Sequence, residues 1–235
     1  MSAQPWSCSQ LAIVHDPSRG AAADLARGIE LLRAAASGQL PPTLRLYRPY
    51  PTVAFGQRDA RLPGFDEAAE AARGAGFEPL IRKAGGRAAA YHQGCLIVDH
   101  IEQHDDAIAG SHARFGLLGE LLAEALRRVG VDASVGEIPG EYCPGEFSVH
   151  GNGPVRVKLV GTAQRVISGA WLFSSVIVVE DSAPIRAVLE KTYAALALEW
   201  NPATAGAADD LVPGLTVDTV ADAVVAVYED VVRRS

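Results

Sequence analysis

The tetrapeptide Gly151-Asn152-Gly153-Pro154 is the feature that most restricts how this chain folds. It separates two alternating runs, Glu146–His150 and Val155–Val160, and its residue types favour a tight reversal, so the spacing predicts a β-hairpin. Adjacent antiparallel strands argue against a strict βα repeat. Around the hairpin, helical and extended patterns interleave. Residues 22–36 place Leu25, Ile29 and Leu32 on one helix face. Two short strands follow, Thr43–Tyr47 and Thr52–Phe55, then a helix over 64–75 and strands over Phe77–Lys83 and Tyr91–Ile101. In Ala107–Val129, Phe115, Leu118, Leu122 and Leu126 form a buried helical stripe, with Gly130 as its C-cap. Strands at Val131–Ile138 and Ala170–Glu180 follow. Helices at Pro184–Leu196 and Val217–Arg233, joined by a polar connector over Asn201–Pro213, complete the chain. The expected fold class is α/β of the α+β type, a mixed and largely antiparallel sheet packed with helices. The expected organisation is one domain over 1–235, with 183–235 as a C-terminal helical extension and no large accessory domain.

Composition narrows the function classes. Of 235 residues 49% are hydrophobic and 21% charged, a globular balance. The net charge of −7 speaks against a general nucleic-acid binder. No apolar run approaches the roughly 18 residues of a membrane helix. The first ten residues lack the basic and apolar regions of a signal peptide. Three dispersed cysteines do not suit a disulfide scaffold, so the expected compartment is the cytoplasm, with no membrane and no nucleic-acid partner.

Three places carry chemistry. In the segment Ile81–His92, Gly85-Gly86 directly follows a strand and is surrounded by Arg82, Lys83 and Arg87. Paired glycines let backbone N–H groups face an anion or an acyl carbonyl, although a tight turn with solvated cations suits the same residues. Cys143 lies in the polar stretch Glu141-Tyr142-Cys143-Pro144-Gly145, unlike Cys95, whose apolar neighbours mark a core position. Cys8 falls in the N-terminal stretch. Lys158 is one of only three lysines in an arginine-rich chain. Its position in a strand suits either a solvated face or an ammonium beside a reacting carbonyl or thiolate. A turn at 151–154 sets Lys158 opposite Phe147, so it meets Cys143 only if the chain bends at Pro144-Gly145. His92 follows the glycine loop as either a base or a structural histidine. His100, His104 and His112 are not spaced as zinc ligands, and without CxxC or HExxH no catalytic metal is expected.

At these residues the sequence resembles the biotin/lipoate protein ligase and octanoyltransferase family. Three blocks carry the resemblance, in the family's order: LRLYRPYPTVAFG at 44–56, IRKAGGRAAAYH at 81–92 and KLVGTAQR at 158–165. The chain departs from the family pattern at Gly56-Gln57-Arg58-Asp59, where G-(R/Y)-x-Q is common, and in reading RKAGGRAAA for RR-x-(S/T)GG-x-AV. The resemblance implies a mixed α/β fold and attachment of lipoate, octanoate or a related acid to a carrier lysine. It makes Lys158 the catalytic lysine and places Arg82, Gly85, Gly86, Arg87, Ala88 and His92 in the acyl-binding loop. It assigns Gly161, Thr162, Ala163 and Gln164 to the acyl pocket. Cys143-Pro144-Gly145 resembles the Cys-Pro-Gly of the amidotransferase branch closest to this chain. That branch implies transfer through a Cys143 thioester without a cofactor, with acyl carrier protein, glycine-cleavage H protein or a lipoyl domain as donor and acceptor. The ligase branch implies instead ATP, Mg and an acyl-adenylate, with Cys143 a bystander. A non-catalytic acyl-carrier-binding module is the third reading.

Overall fold

The computed structural model describes residues 10–234; Cys8 and the rest of residues 1–9, on which the signal-peptide reading rests, lie outside them. A seven-stranded sheet forms the centre. It contains β1 (Ala12–His15), β2 (Thr43–Tyr47), β6 (Cys95–Gln103), β7 (Ala133–Val135), β8 (Val149–Gly151), β9 (Val157–Ile167) and β10 (Ala170–Val178). Their order is β1-β2-β6-β10-β9-β8-β7. Only β1 and β2 run parallel; every other neighbouring pair is antiparallel. A second sheet, β4-β3-β5, joins β3 (Thr52–Phe55) to β4 (Glu78–Ile81) in parallel and to β5 (Ala89–Tyr91) in antiparallel register. The architecture is the mixed, largely antiparallel one expected.

Helices bury both faces of the large sheet. On one face α1 (Ala21–Ala36) sets Leu31, Leu32 and Ala35 against Ile101 and Leu172. On the other, α3 (Ser111–Arg128) and α6 (Val217–Arg234) cover Leu44, Val98, Trp171 and Phe173. The stripe of α3 buries Leu118, Leu122 and Leu126, and Phe115 packs at its edge. Around the small sheet lie α2 (Phe65–Gly74) and α4 (Ser182–Ala195), with Ala68, Ala72, Val188 and Leu189 meeting Val53 and Phe55. The C-terminal helices thus complete the two main apolar clusters. The connector before α6 holds a single 3-10 turn at Pro202–Thr204 and a short helix, α5 (Ala208–Leu211).

Several elements differ from their expected bounds for local reasons. The run over 91–101 splits into β5 and β6 because the chain turns at His92–Gly94, where Gly94 packs against the Glu180 carbonyl. Helix α3 begins only after Gly110, which takes φ 75°. The hairpin is shifted: Lys158 pairs with His150, not Phe147, and a bulge lies between Val149 and His150. β9 runs on to Ile167, so the KLVGTAQR segment lies within one strand. No helix among the described residues is long and apolar enough to cross a membrane.

Candidate active site

Between α1, the sheet and the 82–88 loop lies a cavity of about 400 Å³. Its floor is built from successive rows across the strands. Tyr47, Ile97, Val176 and Gly161 form one row; Asp99, Ser174 and Ala163 lie in the next; Leu172 and Arg165 lie in a third. Leu25, Ala26 and Ile29 of α1 add apolar wall, and Arg82, Gly86, Cys143, Lys158 and Thr162 also line the space.

The chain turns at Cys143 itself, one residue before the Pro144-Gly145 pair on which its approach to Lys158 depended. The Cys143 φ of 44° is left-handed, an uncommon conformation for a non-glycine residue and one that requires surrounding support. That support comes from four directions. The Cys143 backbone N–H donates to the Tyr193 hydroxyl at 2.8 Å, and that hydroxyl donates to the Ala88 carbonyl at 3.0 Å. The Cys143 carbonyl accepts from Lys158 Nζ at 2.7 Å. The Cys143 Sγ accepts from the Arg87 backbone N–H at 3.1 Å, and Arg82 Nη2 lies 3.6 Å from it. The thiol therefore faces a backbone donor and a guanidinium.

The glycine loop is shaped for this approach. Gly86 has φ 101°, and a Cβ there would lie 2.9 Å from Cys143 Sγ and against the Arg82 guanidinium. Arg82 also donates to the Arg87 carbonyl at 2.8 Å, closing the loop on itself. The Arg87 side chain turns away from the thiol to Asp59, 3.0 Å distant and fully buried. Asp59 also accepts from the Gly56 N–H at 2.9 Å. The departure Gly56-Gln57-Arg58-Asp59 thus provides the anchor for the loop.

Lys158 is buried, and each of its three N–H donors is used. Nζ bonds Glu141 Oε1 at 2.9 Å, the Tyr142 carbonyl at 3.0 Å and the Cys143 carbonyl. It meets the backbone of Cys143, while the cation nearest the sulfur is Arg82. Glu141 is the hub of this segment: its carboxylate also accepts from Ser148 Oγ at 2.6 Å, Gly145 N at 3.2 Å and Ile138 N at 3.2 Å.

The structure brings Cys143, Lys158, Arg82, Gly86, Arg87, Gly161 and Ala163 to one place, with Ala88 beneath the loop and Gly85 at its exposed tip; Thr162 borders the cavity, but its side chain takes the other face of β9, where Oγ1 donates to the Phe147 carbonyl at 3.4 Å. It does not bring His92 or Gln164 there. Both ring nitrogens of His92 are engaged, one by the Asp181 carbonyl at 2.9 Å and one by the Gly94 N–H at 2.8 Å, so it holds the β5–β6 turn. The pleat of β9 turns Gln164 to the opposite face, where Arg114 Nε donates to it at 2.7 Å. Cys95 is a core residue, and burial pushes its thiol up to about 12. Sequence reasoning gave no role to Tyr193, Glu141 or Asp59. Asp59 was detectable as a carboxylate replacing a common family residue; Tyr193, inside an amphipathic helix, carried no such signal.

This fold is found in lipoate-protein ligases. A lipoate-protein ligase A bound with ATP superposes with a TM-score of 0.69 at 21% identity, over 94% of this chain and 84% of its own. A putative lipoate protein ligase from T. acidophilum with bound lipoic acid gives 0.70 at 20% identity, over 93% and 84%. The chain belongs to the family described as the lipoyl protein ligase A/B catalytic domain, which matches residues 21–229. Its curated relatives include an octanoyl-[GcvH]:protein N-octanoyltransferase of Exiguobacterium sibiricum, 30% identical over 66% of this chain. Another from Anoxybacillus flavithermus is 31% identical over 73%. The chain covers 56% and 60% of the length of these two relatives.

Proposed function

We propose that this protein is a cytoplasmic acyltransferase that moves an octanoyl, lipoyl or related acyl group to a carrier-domain lysine through a thioester on Cys143. One observation carries the reading: Cys143 Sγ lies at the cavity between the Arg87 N–H at 3.1 Å and the Arg82 guanidinium at 3.6 Å. A preformed donor and a fixed cation stabilise negative charge with little reorganisation. Cys143 Sγ attacks the acyl carbonyl of the donor, and its proton leaves with the donor's thiol or amine. The acceptor lysine's free amine then attacks the thioester, forming the amide and returning the thiol. Lys158 acts by fixing the Cys143 backbone and by its charge, since its donors are taken. The names of the curated relatives support a glycine-cleavage H protein as octanoyl donor, with an acyl carrier protein or lipoyl domain as further carriers. No cofactor enters this scheme.

The test is transfer from an octanoyl-carrier to an acceptor domain without ATP, for wild type and Cys143→Ala. Wild type is expected to transfer and the variant to lose transfer. Full transfer by Cys143→Ala would show the mechanism wrong. Acid-dependent pyrophosphate release from ATP and Mg, unchanged in that variant, would move the protein to the ligase branch.

A further inference from the structure

The middle row of the cavity floor is polar, although the Tyr47–Ile97–Val176–Gly161 row before it is apolar and α1 sets Leu25, Ala26 and Ile29 against the space. Arg45, Asp99, Ser174 and Ala163 stand directly opposite one another across β2, β6, β10 and β9. Asp99 Oδ2 pairs with Arg45 Nη1 at 3.0 Å, and Ser174 stands beside Asp99 in register on the neighbouring strand. Asp99 and Ser174 both line the cavity, and Ser174 is only half-buried. Gly28 of α1 sits over this row: a Cβ there would lie 3.5 Å from Leu172 and 3.7 Å from Asp99 Oδ2. Rows two residues apart are separated by about 6.8 Å. An acyl chain attached to Cys143 and running along the floor therefore crosses the apolar Ile97–Val176 row first and meets Ser174 and Asp99 part-way along its length.

A saturated chain at that row strips water from the half-exposed Ser174 hydroxyl, beside the buried and already paired Asp99, and gives nothing back. A chain with a hydroxyl at the same depth replaces that water. Sites built around polar groups discriminate strongly against ligands that leave those groups unpaired, whereas apolar walls discriminate weakly. We propose that Asp99 and Ser174 form a subsite that selects medium-chain acyl groups bearing a hydroxyl part-way along the chain over the saturated chain of equal length. The proposal rests on the reading of this cavity as the acyl site, and it specifies which acyl group the cavity takes.

Binding separates the two claims, because it needs no reaction. Cys143→Ser protein is titrated calorimetrically with octanamide and with octanamides hydroxylated at each of carbons 4 to 8. At least one hydroxylated isomer is expected to bind about tenfold tighter than octanamide, the scale of one satisfied buried hydrogen bond. Adding Ser174→Val, or Ser174→Ala should the larger residue disturb the strand, is expected to abolish that preference. Octanamide binding as tightly as every isomer, a preference that survives both substitutions, or no binding by any amide would overturn the proposal. Failure of the acyl-transfer reading shows separately, as wild-type protein that acquires no Cys143 adduct from either octanoyl or hydroxyoctanoyl thioesters.

Discussion

Replacing Lys158 by Met removes the ammonium that ties Glu141, Tyr142 and Cys143 together. The side chain is almost wholly buried, and the Glu141 carboxylate beside it is fully buried. Met fills much of the same volume, so the loss is electrostatic. Breaking a buried ion pair on one side costs about 3–5 kcal/mol, because the remaining charge is left uncompensated. Glu141 retains donors from Ser148, Gly145 and Ile138, which places the cost toward the lower end of that range. A chain of this size loses about 2–4 °C of melting temperature per kcal/mol, so a fall of roughly 6–12 °C is expected. Thermal and urea denaturation of Lys158→Met, Glu141→Gln and the double variant measure it. In the double variant neither charge is stranded, so its cost should fall short of the sum of the singles by about 1 kcal/mol or more. A Lys158→Met cost below about 1 kcal/mol, or strict additivity, would refute the claim that this pair holds the Cys143 loop.

Three further outcomes follow from the same contacts. Gly86→Ala meets Cys143 Sγ and Arg82 and must abandon a favourable positive φ, so acylation should fall about 100-fold for an ångström of displacement; stopped-flow acylation at unchanged far-ultraviolet dichroism checks it. Tyr193→Phe leaves the Cys143 N–H and the Ala88 carbonyl without their shared partner. It should cost about 1–3 kcal/mol by denaturation, with slower acylation but unchanged binding of octanamide. In native protein at pH 8, iodoacetamide should label Cys143 and spare Cys95, whose thiol burial pushes up to about 12; peptide mapping that finds Cys95 modified at a comparable rate would contradict its placement in the core.

Much of the fold was legible because its signals are local. Strands Thr43–Tyr47 and Thr52–Phe55 fall at their expected bounds, bracketed by prolines, and the α3 stripe buries the leucines its period requires. The hairpin was legible in kind but not in register, because register depends on a bulge at Val149/His150 that no turn motif announces. At the site, the glycine pair, Cys143 and Lys158 were visible as residue types out of place in their segments. Their supports were not, because they come from distant parts of the chain: the Tyr193 hydroxyl reaches Cys143 across 50 positions and Ala88 across 105. Gln164 shows the opposite error. Its motif places it in the right strand, but the pleat faces it toward α3 together with Thr162, and only an odd–even offset from Gly161 and Ala163 distinguishes the two faces. His92 likewise sits beside the glycine loop in sequence while its ring serves the next turn.

The central claim is that Cys143 carries the acyl group. Intact mass of the wild-type protein after incubation with octanoyl- and lipoyl-carrier donors, without ATP, tests it most directly. The account predicts a single acyl adduct that hydroxylamine cleaves and that Cys143→Ala does not form. An unmodified wild-type mass with every donor, or an adduct that persists in Cys143→Ala, would contradict it.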